Sequence, residues 1–118
     1  MRIESLSAIT LFTRNMARAV EFYNALGFEL LYGGSKAGFT SYSVGNSYLN
    51  LCVDSQQSSG GWGRIIFHVS DVDVMHSRVL NLGLQPEFAP QDASWGERYF
   101  HVLDPDGNEI SFAKLIVQ

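Results

Sequence analysis

The chain has 118 residues, of which 46% are apolar, 13% aromatic and only 17% charged; this fits one folded domain and excludes intrinsic disorder. The formal net charge of −4 leaves no basic excess for binding nucleic acid, and the sequence has no apolar run of the roughly 18 residues that a membrane span needs. Because the single cysteine has no partner for an internal disulfide, we expect a reducing, cytoplasmic location.

The first half of the chain predicts a strand, a helix and three further strands, in that order. An apolar stretch leads to Asn15, a good N-cap residue, after which apolar side chains recur at helical spacing as far as Leu26. Gly27 stands where a helix commonly ends with a positive φ. The three strands are predicted over residues 28–32, 39–44 and 48–53.

The second half repeats this order of sequence signals at an offset of 56 residues. Asp71 is the counterpart of Asn15 and is predicted to cap the second helix. Gly83 is the counterpart of Gly27 and is predicted to end it. A turn-forming Asp-Pro-Asp-Gly-Asn segment precedes the last strand. The three strands after this helix are predicted over residues 84–88, 98–103 and 109–114.

The repeat predicts two βαβββ modules, residues 1–54 and 62–118, joined by a polar Gly/Ser-rich linker over residues 55–61. Each four-stranded sheet has one face that its helix covers and one that it does not. We therefore predict an α+β fold, a single domain in which the two modules form a cupped, incompletely closed eight-stranded barrel. A cup of this kind predicts a small-molecule pocket.

Three segments of the chain resemble the vicinal oxygen chelate superfamily, which includes glyoxalase I, extradiol dioxygenases, fosfomycin-resistance enzymes and bleomycin-resistance proteins. They are residues 17–28 (ARAVEFYNALGF), 67–71 (FHVSD) and 95–112 (WGERYFHVLDPDGNEISF). The Trp-Gly-x-Arg-x-Phe element is most similar to bleomycin-resistance proteins. The resemblance implies the cupped fold, a ligand site in the cup and a homodimer.

Catalytic members of this superfamily bind a divalent metal, and the resemblance places their four ligand positions on Ala8, Asn50, Arg64 and Ser111. Alanine offers no ligand atom, and arginine stays charged and cannot coordinate a cation. Asparagine and serine are weak neutral donors, whereas zinc, nickel and iron sites use His, Cys or carboxylate. We therefore predict no metal site at these positions and no other cofactor.

Strand alternation predicts which side chains line the cup if Ala8 and Arg64 face it. Pairing across the Asp-Pro-Asp-Gly-Asn turn places His101 opposite Ser111 and Tyr99 opposite Ala113. The predicted ligand-binding residues are Phe12, Tyr48, Asn50, Arg64, His68, Trp95, His101, Glu109 and Ser111.

Several of these residues also have a simpler structural interpretation. His68 could be a core histidine satisfied by a carbonyl group, and Cys52 is more simply a small buried side chain. Arg64 is either an anion-binding group or a strand-end charge. Glu109 is either a rim charge or a partner for Arg64 or for a cationic ligand.

These observations leave two functions open. The first is a metal-free protein that binds an aromatic drug or metabolite, as bleomycin-resistance proteins do. The second is a lyase, isomerase or dioxygenase with a non-standard site. That site would be either a metal on His68, His101 and Glu109 or acid–base chemistry by His101 with Tyr99.

Overall fold

The computed structural model describes residues 1–56, 60 and 62–116, and the chain divides into two compact units between residues 58 and 59. Residues 57–59 and 61 of the predicted linker lie outside the described residues. Within the described part of the chain, no helix is long and apolar enough to cross a membrane.

The first unit has the predicted order of one strand, one helix and three strands. Strand β1 pairs in parallel with β4, and β3 pairs antiparallel with both β4 and β2, which gives the sheet order β1-β4-β3-β2. The elements are β1 (Ala8–Thr13), α1 (Met16–Leu26), β2 (Glu29–Tyr32), β3 (Phe39–Val44) and β4 (Ser47–Val53).

The second unit repeats this topology, with sheet order β5-β8-β7-β6 and a parallel pair between β5 and β8. The predicted α+β class with two βαβββ modules is thus confirmed, as two four-stranded mixed sheets with one helix each. The elements are β5 (Arg64–His68), α2 (Val72–Asn81), β6 (Gln91–Asp92), β7 (Glu97–Leu103) and β8 (Glu109–Leu115).

The strand predicted over residues 84–88 is wrong. The structure has no regular element over residues 84–90, and the edge strand β6 consists of Gln91 and Asp92 alone. Pro86 and Pro90 lie within this stretch, and a proline has no N–H to donate to a strand ladder. Residues 84–90, which we call the strap, therefore connect α2 to β6 without joining the sheet.

The two helices begin and end in the same way, which confirms the repeat at the level of single hydrogen bonds. Asn15 accepts a hydrogen bond from the Arg18 amide at 3.1 Å, and Asp71 accepts one from the Val74 amide at 3.0 Å. Gly27 directly follows α1, and Gly83 lies one residue further beyond the end of α2, with φ of 96° and 81°. Only glycine adopts this backbone conformation without steric cost.

We expect Asn15→Ala and Asp71→Ala each to lower the free energy of unfolding by about 1 kcal/mol, since each removes an N-cap acceptor. Urea denaturation measures this change. Asn81→Ala, in the last turn of α2, is the control. A cap variant that unfolds at the same urea concentration as wild type would contradict the assignment of the caps.

Each helix covers one face of its own sheet. In the second unit α2 packs against β7 and β8, where alternate residues such as Phe100, Ile110 and Phe112 are buried. In the first unit the Tyr42 hydroxyl donates to Asn24 Oδ1 on α1 at 3.0 Å, and Leu49 and Leu51 are buried. The opposite faces carry the residues predicted to line the cup, because side chains alternate along a strand.

Candidate functional site

The helix-free face of the second sheet, meaning the face opposite α2, carries most of the predicted ligand-binding residues. The pairing of His101 with Ser111 and of Tyr99 with Ala113 is confirmed. Ser111 also pairs with Ile66 on β5, as Asn50 pairs with Thr10 on β1. The members of this face are Arg64, Ile66, His68, Gln91, Glu97, Tyr99, His101, Leu103, Glu109, Ser111, Ala113 and Leu115.

One end of the helix-free face holds a row of alternating charged and polar groups across the sheet. The Arg64 guanidinium lies 2.9 Å from Glu109, whose other carboxylate oxygen lies 3.6 Å from His101 Nε2. On its far side the same His101 nitrogen lies 2.7 Å from Glu87 of the strap. Glu109 is therefore the partner of Arg64, and the guanidinium is already neutralised by a carboxylate.

At the other end of the face, contacts with Glu97 and Tyr99 hold the Trp95 side chain in place. Its indole N–H donates to Glu97 at 3.0 Å, and its ring lies 5.3 Å from that of Tyr99 between centroids. Trp95 is nevertheless 62% exposed. His68 is also exposed and lies 2.6 Å from Glu97, so it is not a core histidine.

The strap contacts the middle of this face. Phe88 packs edge-on against both Tyr99 and His101, at centroid distances of 5.4 and 5.0 Å. Gln91 donates to the Tyr99 hydroxyl at 3.3 Å. His101 is buried under these contacts, with 9% of its surface exposed.

Arg98 fastens the end of the strap from the helix side of the sheet. Its guanidinium makes two hydrogen bonds to Asp73 on α2, at 2.9 and 3.0 Å, and one to Asp92 on β6 at 3.1 Å. These hydrogen bonds raise the pKa of Arg98, and the bond from Arg98 lowers the pKa of Asp73. A pocket of about 370 Å³ lies beside these hydrogen bonds, and of its lining residues only Leu115 belongs to the helix-free face.

Hydrogen exchange tests whether the hydrogen bonds of Arg98 with Asp73 and Asp92, which we call the clasp, hold β6 in place. We expect Arg98→Gln to speed amide hydrogen exchange in residues 91–92 at least tenfold, because β6 pairs over only two residues and loses its side-chain anchor. Exchange in β8 should not change. Equal exchange of β6 in wild type and variant would contradict a fastening role.

In the first unit, the face opposite α1 is less charged and presents aromatic side chains. Phe12, Phe39 and Tyr48 are each more than 40% exposed. Asn50 donates from Nδ2 to Thr10 Oγ1 at 3.2 Å. Cys52 pairs with Phe12 and Phe39 in the sheet and is half-buried.

The side chains at the family's metal-ligand positions do not fit a divalent metal. Ala8 has no donor atom, Arg64 is paired with Glu109, Asn50 turns its amide N–H₂ to a threonine, and the Ser111 hydroxyl is neutral. Among residues 1–56, 60 and 62–116 no group of three or more His, Cys, Asp or Glu side chains is placed to hold a metal.

The alternative metal set of His68, His101 and Glu109 is not assembled. His68 lies four residues along β5 from Arg64, the residue that pairs with Glu109. Four residues of strand span about 13 Å, so His68 and Glu109 sit at opposite ends of the face.

Reading the sequence missed Glu97 on this face and Glu87 and Phe88 of the strap that contacts it. Glu97 continues the alternation of Tyr99 and His101 by one step, so its position was predictable from period 2. Glu87 and Phe88 were assigned to a strand. The proline on each side of them is the signal for a strap instead.

A sequence model of the Glyoxalase/Bleomycin resistance protein/Dioxygenase superfamily matches residues 5–112. Bleomycin resistance proteins from Geobacillus stearothermophilus and Staphylococcus aureus are each 33% identical over 67 residues, or 56% of this chain and 51% of theirs. The match therefore spans about half the length of these relatives.

Solved structures share the fold at low sequence identity. A glyoxalase family protein from Bacillus anthracis matches with a TM-score of 0.82 and 20% identity over 98% of both chains. The bleomycin resistance determinant encoded on transposon Tn5 matches with 0.79 and 19%, over 97% of this chain and 100% of that one. A lactoylglutathione lyase from Agrobacterium tumefaciens matches with 0.79 and 18%, over 97% and 96%.

Proposed function

Since the chain belongs to the glyoxalase/bleomycin resistance protein/dioxygenase superfamily, we propose that it binds a flat aromatic small molecule without a metal ion, as a binding protein of the bleomycin-resistance type. On the second unit the binding residues are those predicted on or beside its helix-free face: Arg64, His68, Trp95, His101, Glu109 and Ser111. On the first unit they are Phe12, Tyr48 and Asn50, on the face opposite α1. Bleomycin resistance proteins are among the relatives.

The observation that carries this proposal is the arrangement of Trp95. An indole that is 62% exposed leaves a large apolar surface in water, yet Tyr99 and Glu97 hold it in one orientation. A ligand that stacks on this ring buries apolar area without first having to order the side chain.

The charges of the same face favour a neutral or cationic ligand. Three carboxylates, on Glu87, Glu97 and Glu109, face one guanidinium and two imidazoles. With neutral imidazoles the sum is −2, which would repel an anion and attract a cation.

The proposal has three further parts that follow from the family resemblance and the composition. The site works without a metal, because the side chains at the ligand positions do not fit one. The protein acts as a homodimer and resides in the cytoplasm, where its single cysteine stays reduced. Sedimentation of the purified chain tests the dimer.

We expect Trp95→Ala to weaken binding of metal-free bleomycin or ethidium by about tenfold, the worth of one well-stacked aromatic contact. Isothermal titration calorimetry in EDTA measures the affinity. Leu82→Ala, which trims an exposed side chain just after α2, is the control and should bind as wild type does.

Two results would overturn the proposed function. One is the absence of binding to either compound by the wild-type protein. The other is unchanged affinity in Trp95→Ala with an intact fold, which would move the site away from this face. Tighter binding of the anion 8-anilinonaphthalene-1-sulfonate than of ethidium would contradict the charge argument.

A second candidate function is metal-free acid–base catalysis, favoured by His101. Its Nε2 lies against the Glu87 carboxylate, an arrangement that orients an imidazole and sets its tautomer. Among the described residues no hydrogen bond joins Tyr99 to it, since His101 Nε2 lies against Glu87 and Nδ1 has no partner. Turnover of a bound compound that survives EDTA and is lost in His101→Gln would establish this candidate.

A further inference from the structure

Two buried polar atoms on paired residues of the helix-free face have no hydrogen-bond partner among the described residues. They are His101 Nδ1 and the Ser111 hydroxyl oxygen. His101 and Ser111 are directly opposite each other on β7 and β8, and they are 9% and 1% exposed. Buried polar groups nearly always have a partner, so two adjacent exceptions point to a group that binds there.

The contacts of His101 fix what Nδ1 has to offer. A carboxylate only accepts hydrogen bonds, so His101 Nε2 must carry the proton that it shares with Glu87 at 2.7 Å. In the neutral imidazole Nδ1 is then a bare acceptor. Next to it the Ser111 hydroxyl has a proton to donate.

A hydroxyl group can form a hydrogen bond with both atoms, because it donates its proton to Nδ1 and its oxygen accepts the proton of Ser111. Resting on the proposed function, we propose that His101 Nδ1 and Ser111 Oγ form a polar subsite for a hydroxyl group carried by the aromatic ligand. The subsite binds a neutral hydroxyl group, whereas Glu87, Glu97 and Glu109 favour a ligand with positive charge.

The strap controls access to this subsite. Phe88 packs edge-on against the His101 ring, and Glu87 holds the ring's other nitrogen. Phe88 is only half-buried, so its side chain can swing outward without breaking the β7–β8 ladder, while Glu87 stays on Nε2 and keeps Nδ1 an acceptor. The ligand's ring replaces Phe88 against Tyr99, and its hydroxyl then reaches Nδ1 and Ser111.

Phenol and toluene test this subsite as a matched pair, because they differ by a hydroxyl in place of a methyl. Long-range ¹H–¹⁵N spectra of the imidazoles are recorded at about pH 8, where an ordinary histidine is neutral. The chain has only three histidines, so His68→Gln and His76→Gln assign the signals. Phenol should shift the His101 Nδ1 resonance as a new hydrogen bond does, and toluene should not.

Ser111→Ala separates binding from folding. We expect it to weaken phenol binding about threefold to tenfold, the worth of one neutral hydrogen bond, and to leave toluene binding unchanged. Its melting temperature should not fall, because the deleted hydroxyl had no partner. Ser77→Ala, on α2 and exposed, is the control.

Three outcomes would overturn the subsite. Equal binding of phenol and toluene would remove it while leaving aromatic binding in place. A His101 Nδ1 that is already hydrogen-bonded in the free protein, together with a lower melting temperature in Ser111→Ala, would show that an ordered water fills the position. Failure of both probes and of bleomycin to bind would overturn the subsite and the proposed function together.

Discussion

Asp104→Ala is expected to lower the free energy of unfolding by about 3 to 5 kcal/mol, a large share of the 5 to 15 kcal/mol typical of a small protein. The Asp104 carboxylate is buried in the turn before β8 and accepts three hydrogen bonds. They come from the Asp106 and Asn108 amides at 2.9 and 2.8 Å and from the Asn108 side chain at 3.0 Å. Without the carboxylate these donors are left buried and unsatisfied.

Urea denaturation of matched variants measures this loss. Asp104→Asn keeps an oxygen for the two amides and should lose less stability than Asp104→Ala. Asp54→Ala is the control, because Asp54 is only half-buried and its carboxylate accepts at the surface from the Gln56 amide; we expect a change within about 0.5 kcal/mol. A loss in Asp104→Ala no larger than in this control would show that the turn holds without its carboxylate.

The second large effect is a loss of stability in alkaline solution that depends on Tyr42. The Tyr42 side chain is fully buried, and its burial raises the pKa to about 12 from 10.0. Between these values the unfolded chain releases the phenol proton while the folded chain retains it. The contribution of Tyr42 to stability is therefore nearly complete below pH 10, falls as the pH rises toward 12, and decreases by about 2 kcal/mol over that range.

Tyr42→Phe has no proton to release and should not show this dependence. The difference in unfolding free energy between wild type and variant should shift by about 1 kcal/mol per pH unit between pH 10 and pH 12. Tyr32→Phe removes an exposed tyrosine, and its slope should match that of wild type. Parallel curves for wild type and Tyr42→Phe would show that water reaches the buried phenol.

Much of the architecture could be predicted because the chain states it twice. The N-cap residues Asn15 and Asp71 and the glycines after each helix are local signals whose geometry does not depend on distant contacts. Alternation and one turn were enough to pair His101 with Ser111, because a hairpin register fixes every later pair. The prediction of a strand over residues 84–88 was wrong because the apolar residues were given more weight than Pro86 among them.

The pairing of charges could not be predicted in the same way. Glu87 meets His101 from a segment without regular structure, and no periodicity gives the path of such a segment. From the sequence, pairing with Arg64 was one of several possible roles for Glu109, because Glu109 could equally have faced a cationic ligand. Strand alternation tells which residues share a face, whereas contacts between their long side chains depend on rotamers that it does not determine.

The short β6 strand has a consequence for rates. It pairs with β7 at two positions, while β7 and β8 pair at seven, so the strap can detach and reattach many times before the sheet itself opens. If the strap must leave before a ligand enters, the observed association rate will rise with ligand concentration and then level off at the rate of detachment. Arg98, which touches no residue of the helix-free face in its clasp with Asp73 and Asp92, would set that ceiling from the other side of the sheet.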